Sequence, residues 1–281
     1  MINKEKLRRI KLVVFDLDGT LLNSEGKIGE ESISLINKLK KINIKFSFAS
    51  GRLHSACTDY AEQLGIDVPI ISLDGSLIKS YPDDNIIFES SIPDRYTKKA
   101  IKLADHLLLK IALCNADAIY YTESNSLIPN LLDKYGNYEQ VDSYEMYLSN
   151  TLELVVAGDF KQSMKAFANR MTFPYTFGLN TSYYRSQSRG DLYYFEARKQ
   201  GADKGKALKK LARHLGISIK ETAVLGDWYN DRELFKAGGL KIAVANAVSE
   251  IKYHSDYVAK RTNDEDGAAE FLNMLMDVRD I

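Results

Sequence analysis

The stretch LVVFDLDGTLLNSEGKI, residues 12–28, closes an apolar run with two aspartates one residue apart, Asp16 and Asp18. The run from Leu12 to Phe15 reads as a buried strand. On extended backbone the side chains at i and i+2 point the same way, so Asp16 and Asp18 would be neighbouring carboxylates. Like charges at that spacing repel, and a cation beside them makes the arrangement tolerable. Gly19 then lets the chain turn sharply. A calcium-binding EF-hand counted from Asp16 would need Gly at its sixth position and Glu at its twelfth. Leu21 and Lys27 stand there, which excludes it.

Working outward, short apolar runs alternate with amphipathic ones up to about residue 80. KLVVFD, KFSFAS and PIISLDG read as strands, with GEESISLINKLKKI and RLHSACTDYAEQLG as helices between them. The rhythm returns near the C-terminus, with KGKALKKLARHLG and NDRELFKAG as helices and TAVLGD and LKIAVAN as strands. Strand and helix in turn imply an α/β fold with a doubly wound, Rossmann-like parallel sheet. Between the halves the texture shifts to tyrosine-rich segments such as DAIYYTES, LELVVAGDF and LYYFEAR, interleaved with helical stretches, which predicts an inserted α+β domain. The expected boundaries are a first core half over 1–82, an insertion over 83–190 and a second core half over 191–281, with SYPDDN and SRGD as hinges by their turn-forming content.

Composition narrows the function classes. The chain has 281 residues, 38 Lys plus Arg against 38 Asp plus Glu, and 45% hydrophobic residues, enough for a substantial core and without a basic run. That balance argues against nucleic acid or an anionic membrane as partner and leaves small molecules. No stretch is long enough for a signal peptide or a membrane span. Cys57 and Cys114 are far apart and outside any CxxC pair, so a reducing, cytoplasmic location is expected. His54, His106, His214 and His254 lack partners at zinc-ligand spacing.

In open parallel sheets, ligands bind beyond the carboxyl ends of the strands. Five predicted strands end in polar residues there: Asp16 with Asp18, Ser50, Asp74, Asp227 and Asn246. Any one of these alone reads as a turn former or helix cap. Together they describe an oxygen-rich site suited to a hard cation, Mg²⁺ by preference. A carboxylate beside a metal can attack phosphorus, which suits Asp16, and a second acid, Asp18, can donate and then take a proton. Ser50 offers a hydroxyl, Gly51 an unobstructed amide, and Lys204 a cation at a helix start, all useful to a phosphoryl group. GADKGKAL is not a nucleotide-binding loop, because its spacing is short and Ala207 replaces the required Ser or Thr.

In order along the chain, FDLDGTLL, ASGR, ADKGKAL and GDWYND resemble the four motifs of the haloacid dehalogenase (HAD) superfamily, and most closely the Cof-like phosphatases with a C2-type α/β cap. The closing segment AGGLKIAVANAVSEIKYHSDYVAKRTNDEDGAAEFL is similar as well. The resemblance implies a phosphomonoester hydrolase with Asp16 as nucleophile and Mg²⁺ ligand, and Asp18 as acid/base with its backbone carbonyl on the metal. It assigns Ser50 and Lys204 to the phosphoryl group, Asp227 to the metal, Asp231 to the metal's water shell, Asn230 to phosphate and lysine, and Thr20 to bracing the first loop. LDGS stands where relatives often show NGA, so Asp74 replaces a neutral amide. Asp74, Gly75 and Arg185 are therefore specificity candidates. In the cap, Tyr183, Tyr184 and Arg185, or Tyr193, Glu196 and Arg198, are candidates to face a sugar or a flat cofactor phosphate. The plainer reading of those tyrosines, half-buried strand positions, carries more weight. The expected partner is a small phosphorylated metabolite such as a sugar phosphate, FMN or pyridoxal phosphate, bound by a monomer or homodimer. A phosphosugar mutase of the same superfamily and a catalytically silent metabolite-binding regulator are the alternatives.

Overall fold

The computed structural model describes residues 2–122, 136–173, 178–186 and 190–279. The chain forms two compact units, one made of Met1–Gly51, Cys57–Ile87 and Asp203–Ile281, the other of Arg52–Ala56 and Phe88–Ala202. The first unit begins with β1 (Leu12–Phe15) and β2 (Lys45–Phe48), which pair in parallel with Val14 opposite Ser47. Helix Glu30–Lys40 links them and buries Leu35, Ile36 and Leu39, one apolar stripe at helical spacing. Helix Ser55–Leu64 leads on to β3 (Ile70–Ser72), and β4 (Leu77–Lys79) and β5 (Ile86–Glu89) complete a three-stranded sheet in the order β3-β4-β5. SYPDDN is the turn between neighbouring strands, not a hinge: Ser80 N donates to the Asn85 carbonyl at 2.9 Å.

The second unit holds β6 (Lys110–Cys114), β7 (Ile119–Tyr121), β8 (Tyr138–Gln140), β9 (Glu153–Gly158), β10 (Leu179–Arg185) and β11 (Tyr193–Lys199). They form one sheet in the order β10-β11-β9-β6-β7-β8, antiparallel except for β7 with β8. Helices Asp94–His106 and Lys161–Thr172 bury Ala100, Ala104, Met164 and Phe167 with Leu113, Val156 and Phe195 of the strands. This is the expected α+β insertion with both boundaries later in the chain, after Ile87 and after Ala202 in place of 82 and 190. β11 falls in the segment 191–281 that the sequence assigns to the core, yet it pairs on one side with β9 and on the other with β10. Of SRGD, Ser188 and Arg189 lie outside the described residues, and Gly190 and Asp191 precede the last strand of the inserted sheet. The chain leaves that sheet later, at Gly201, whose φ of +90° only glycine adopts readily.

Back in the first unit, helix Lys204–His214 precedes β12 (Thr222–Gly226), β13 (Leu240–Ala243) and β14 (Tyr257–Val258). The sheet order is β14-β13-β12-β1-β2, parallel throughout. β1 and β12 are buried along their whole length, which explains why both read as unbroken apolar runs. Phe15 stacks on Phe46 at 6.0 Å, and Phe271, Leu272 and Leu275 of helix Gly267–Asp277 complete that side of the core. Among the described residues no helix is long and apolar enough to cross a membrane. Both cysteines are buried and outside any disulfide.

Candidate active site

Parallel pairing fixes where the strands end. Phe15 lies opposite Phe48 and Leu225, so the residues after β1, β2 and β12 emerge at one edge. Asp16 is the first residue beyond β1, and its amide still donates to the Leu225 carbonyl at 2.9 Å. The backbone then turns: the amides of Thr20, Leu21 and Leu22 all donate to the Leu17 carbonyl. After this turn the two acids of the i, i+2 pair differ in environment. Asp16 is buried and Asp18 exposed. Among the described residues, the cluster of carboxylates whose oxygens lie within 4.8 Å of one another is Asp16, Asp227 and Asp231, without Asp18.

Lys204 lies at the heart of that cluster. As the first residue of its helix it sits where solvated lysines are common, yet its side chain is 0% exposed. Its ammonium donates to Asp16 Oδ1 at 2.6 Å and to Asp231 Oδ1 at 2.7 Å, and Asp74 Oδ1 lies 3.8 Å away. The helix is held open at this end by Asp203, whose carboxylate caps it by accepting from Lys206 N at 2.7 Å. Gly75 lets the preceding loop approach: a Cβ there would meet the Asp203 carbonyl carbon and oxygen at 2.4 Å and Lys204 N at 2.9 Å.

Asp231 ties the site to its own loop. Its second oxygen accepts from the amides of Asp227 at 3.0 Å and Trp228 at 3.2 Å, so both oxygens are engaged. Gly226 makes room for it, since a Cβ there would stand 2.6 Å from Asp231 Oδ2. Asp227 accepts from the Thr20 hydroxyl at 2.7 Å. Gly19, with φ of +79°, passes so close that a Cβ would lie 2.6 Å from Asp227 Oδ2. Asn246 donates to the Gly19 carbonyl at 2.7 Å and accepts from Asn263 N at 2.9 Å, while the Asn263 amide donates to the Leu22 carbonyl at 2.9 Å. These two asparagines clamp the turn after Asp18.

Ser50 follows β2 and is fully buried, and Gly51 lies beside the Asp74 carboxylate. Asn230 donates to Asp74 Oδ1 at 3.1 Å. Ser50, Gly51, Asp74, Gly75, Lys204 and Asn230 thus join Asp16, Asp227 and Asp231 in one unit. Arg185 belongs to the other unit, where its guanidinium donates to the Gly190 carbonyl and lies 6.0 Å from the Tyr193 ring centre. In the same sheet, Tyr183 stacks on Tyr193 at 6.2 Å, Tyr184 donates to Glu196, and Arg198, five residues further along β11, pairs with Glu153 at 2.7 Å. Trp228 is 46% exposed, so it fills no gap in the core.

The electrostatics favour a further cation. Burial, followed by repulsion from Asp231, holds the Asp16 carboxyl well above the usual range despite Lys204. Burial also pushes Asp227 up to about 6, with the Thr20 hydrogen bond opposing and Asp231 adding to the rise. For Lys204, burial alone would lower the ammonium's pKa, but Asp16, Asp231 and Asp74 overcome it and raise it. One lysine therefore serves several acids, and two of them would ionise more readily beside a divalent ion. An all-oxygen donor set suits a hard cation.

The profile of the haloacid dehalogenase-like hydrolases matches residues 13–272. The chain is 27% identical over 287 residues to phosphatase YwpJ of Bacillus subtilis, covering 95% of this chain and 100% of that protein. Over 293 residues it is also 27% identical to the 5-amino-6-(5-phospho-D-ribitylamino)uracil phosphatase YwtE of the same organism, covering 95% and 98%. A haloacid dehalogenase-like hydrolase from Bacteroides thetaiotaomicron superposes with a TM-score of 0.83 at 24% identity, over 94% of this chain and 98% of that one, a likeness of fold.

Proposed function

This chain belongs to the haloacid dehalogenase-like hydrolase family, and we propose that it is a Mg²⁺-dependent phosphatase acting on a small phosphorylated metabolite through an aspartyl-phosphate. The observation that carries this reading is the buried Lys204, bonded at once to Asp16 and Asp231. An ammonium there orients the attacking carboxylate and offers positive charge to the phosphoryl oxygens.

Asp16 attacks phosphorus, forming an O–P bond as the bond to the leaving oxygen breaks. Asp18, exposed on the turn, gives that oxygen a proton. It then takes a proton from water, whose oxygen displaces the Asp16 carboxylate and yields inorganic phosphate. Asp16, Asp227 and the backbone carbonyl of Asp18 would hold Mg²⁺, which supplies charge neutralisation for nucleophile and phosphate. Asp231, with both oxygens engaged, supports this set from behind. Ser50, Gly51, Lys204 and Asn230 receive the phosphoryl oxygens.

The substrate class we favour is a sugar phosphate or a cofactor phosphate, such as FMN or pyridoxal phosphate. The B. subtilis relative named for a ribitylaminouracil phosphate adds that compound to the candidates. A phosphate-release screen over such metabolites with Mg²⁺ tests the reading. Release without a bisphosphate activator supports the phosphatase and counts against a mutase. Binding without release from any compound would favour a silent regulator.

A further inference from the structure

Asp74 is held in an unusual way. Leu73 and Asp74 have φ of +47° and +49°, two consecutive left-handed residues with side chains, before Gly75 at +95°. L-residues with side chains visit this region sparingly, and such strain persists where the surroundings enforce it. The Asp74 amide donates to the Ser50 carbonyl at 3.0 Å, which fixes the residue against the turn after β2. Its carboxylate accepts from Asn230 Nδ2 at 3.1 Å, lies 3.8 Å from Lys204 Nζ, and would be 3.3 Å from a Cβ on Gly51. Asn230, Lys204 and Gly51 are the groups that the proposed function gives to the phosphoryl oxygens. A carboxylate carries the same sign of charge as those oxygens and accepts from the same donors.

We propose that Asp74 is an internal competitor for the phosphoryl-binding corner and so decides which phosphoesters the site admits. Its carboxylate engages the donors before substrate arrives and repels a bare phosphate dianion. When a phosphoryl oxygen displaces it from Asn230, the carboxylate loses one of its donors, and replacing that hydrogen bond is favourable at a partly buried acid. A hydroxyl or ammonium group close to the ester oxygen provides the replacement. The favoured class is therefore phosphomonoesters with a hydroxyl or amine near phosphorus. This inference rests on the phosphoryl-binding roles given above to Lys204, Gly51 and Asn230.

The test uses the full chain with Mg²⁺ and the variant Asp74→Asn, which keeps the side-chain shape and an acceptor for Asn230. Asparagine is well tolerated in left-handed backbone, so the variant is expected to melt near wild type. Calorimetric titration with inorganic phosphate, ethyl phosphate, 2-hydroxyethyl phosphate and 2-aminoethyl phosphate gives the readout. The expected result is that Asp74→Asn binds inorganic phosphate about tenfold tighter or more, as removal of one like charge at a partly buried site implies. The variant is also expected to lose the wild-type preference for the hydroxyl and amino esters over ethyl phosphate. Phosphate binding that is unchanged or weaker in a folded Asp74→Asn would overturn the inference and make Asp74 a support for Lys204 and Asn230. If wild type releases phosphate from esters but the variant gains no phosphate affinity, this inference alone fails. If wild type neither binds phosphate nor releases it from any ester, the phosphatase reading fails and takes the inference with it.

Discussion

Asp16 and Lys204 are mutually dependent, and their variants are expected to behave differently. Asp16→Asn removes a carboxylate that burial disfavours, so the fold is expected to hold, while phosphate release falls by about a thousandfold or more for loss of a nucleophile. A thermal melt beside a steady-state assay checks both halves. Lys204→Met leaves Asp16 and Asp231 buried without their shared cation. Such a loss costs about 3–5 kcal/mol, so this variant is expected to lose both activity and several degrees of melting temperature. That Asp16, Ser50 and Asp227 follow strands and Lys204 opens a helix is legible in the sequence, because each sits inside a short motif at such a junction. The asparagine clamp is not. Asn246 and Asn263 reach carbonyls 227 and 241 residues away, and a side chain that bonds a backbone carbonyl leaves no residue-type signature at the other end. The different burial of Asp16 and Asp18 is hidden for a related reason: spacing predicts a shared side only while the backbone stays extended, and here it turns at once.

At the scale of elements, the buried parallel strands were readable as unbroken apolar runs, and the helices between them by their apolar spacing. The boundaries of the insertion are hard to read because turn-rich residues mark connections inside a sheet as well as passages between units. SYPDDN joins β4 to β5, and SRGD precedes β11. Closer packing rests on Gly75, where the loop after β3 meets the first turn of helix Lys204–His214. Gly75→Ala sets a Cβ 2.4 Å from the Asp203 carbonyl and forces φ of +95° on a residue with a side chain. Strain of this kind costs about 1–3 kcal/mol per residue. We expect a lower melting temperature, and faster amide exchange at the start of that helix than elsewhere in the core.

At the scale of the whole molecule, stability depends on pH in two separate windows. Asp227 is pushed up to about 6 in the folded chain, above the ordinary carboxylate value. Between those values the native state binds more protons than the unfolded one, so metal-free stability rises as pH falls through about 6. Melting in EDTA is expected to be higher near about pH 5 than about pH 7, and Mg²⁺ is expected to raise it more at the higher pH. Equal metal stabilisation at both would contradict this. Glu270 behaves in the opposite sense. Burial would raise its pKa, but donation from Tyr257 and from the amides of Lys260 and Arg261 lowers it, and Arg261 and Asn273 lower Glu31. Their contribution is present above the ordinary glutamate range and lost as pH falls below it. Glu270→Gln is therefore expected to flatten the acid limb below about pH 4 while leaving the upper window intact.

The proposed chemistry requires that the phosphoryl group rest on Asp16, and that bond can be weighed. Asp18→Asn, mixed with Mg²⁺ and p-nitrophenyl phosphate, retains a good leaving group but lacks the base that activates water. Acid quenching, digestion and mass analysis of the peptide that contains residue 16 then measure the intermediate. The expected result is a mass increase of one phosphoryl group on Asp16, absent in the Asp16→Asn, Asp18→Asn double variant. Nitrophenol release with no phosphoryl group on Asp16, or with the group on another residue, would contradict it.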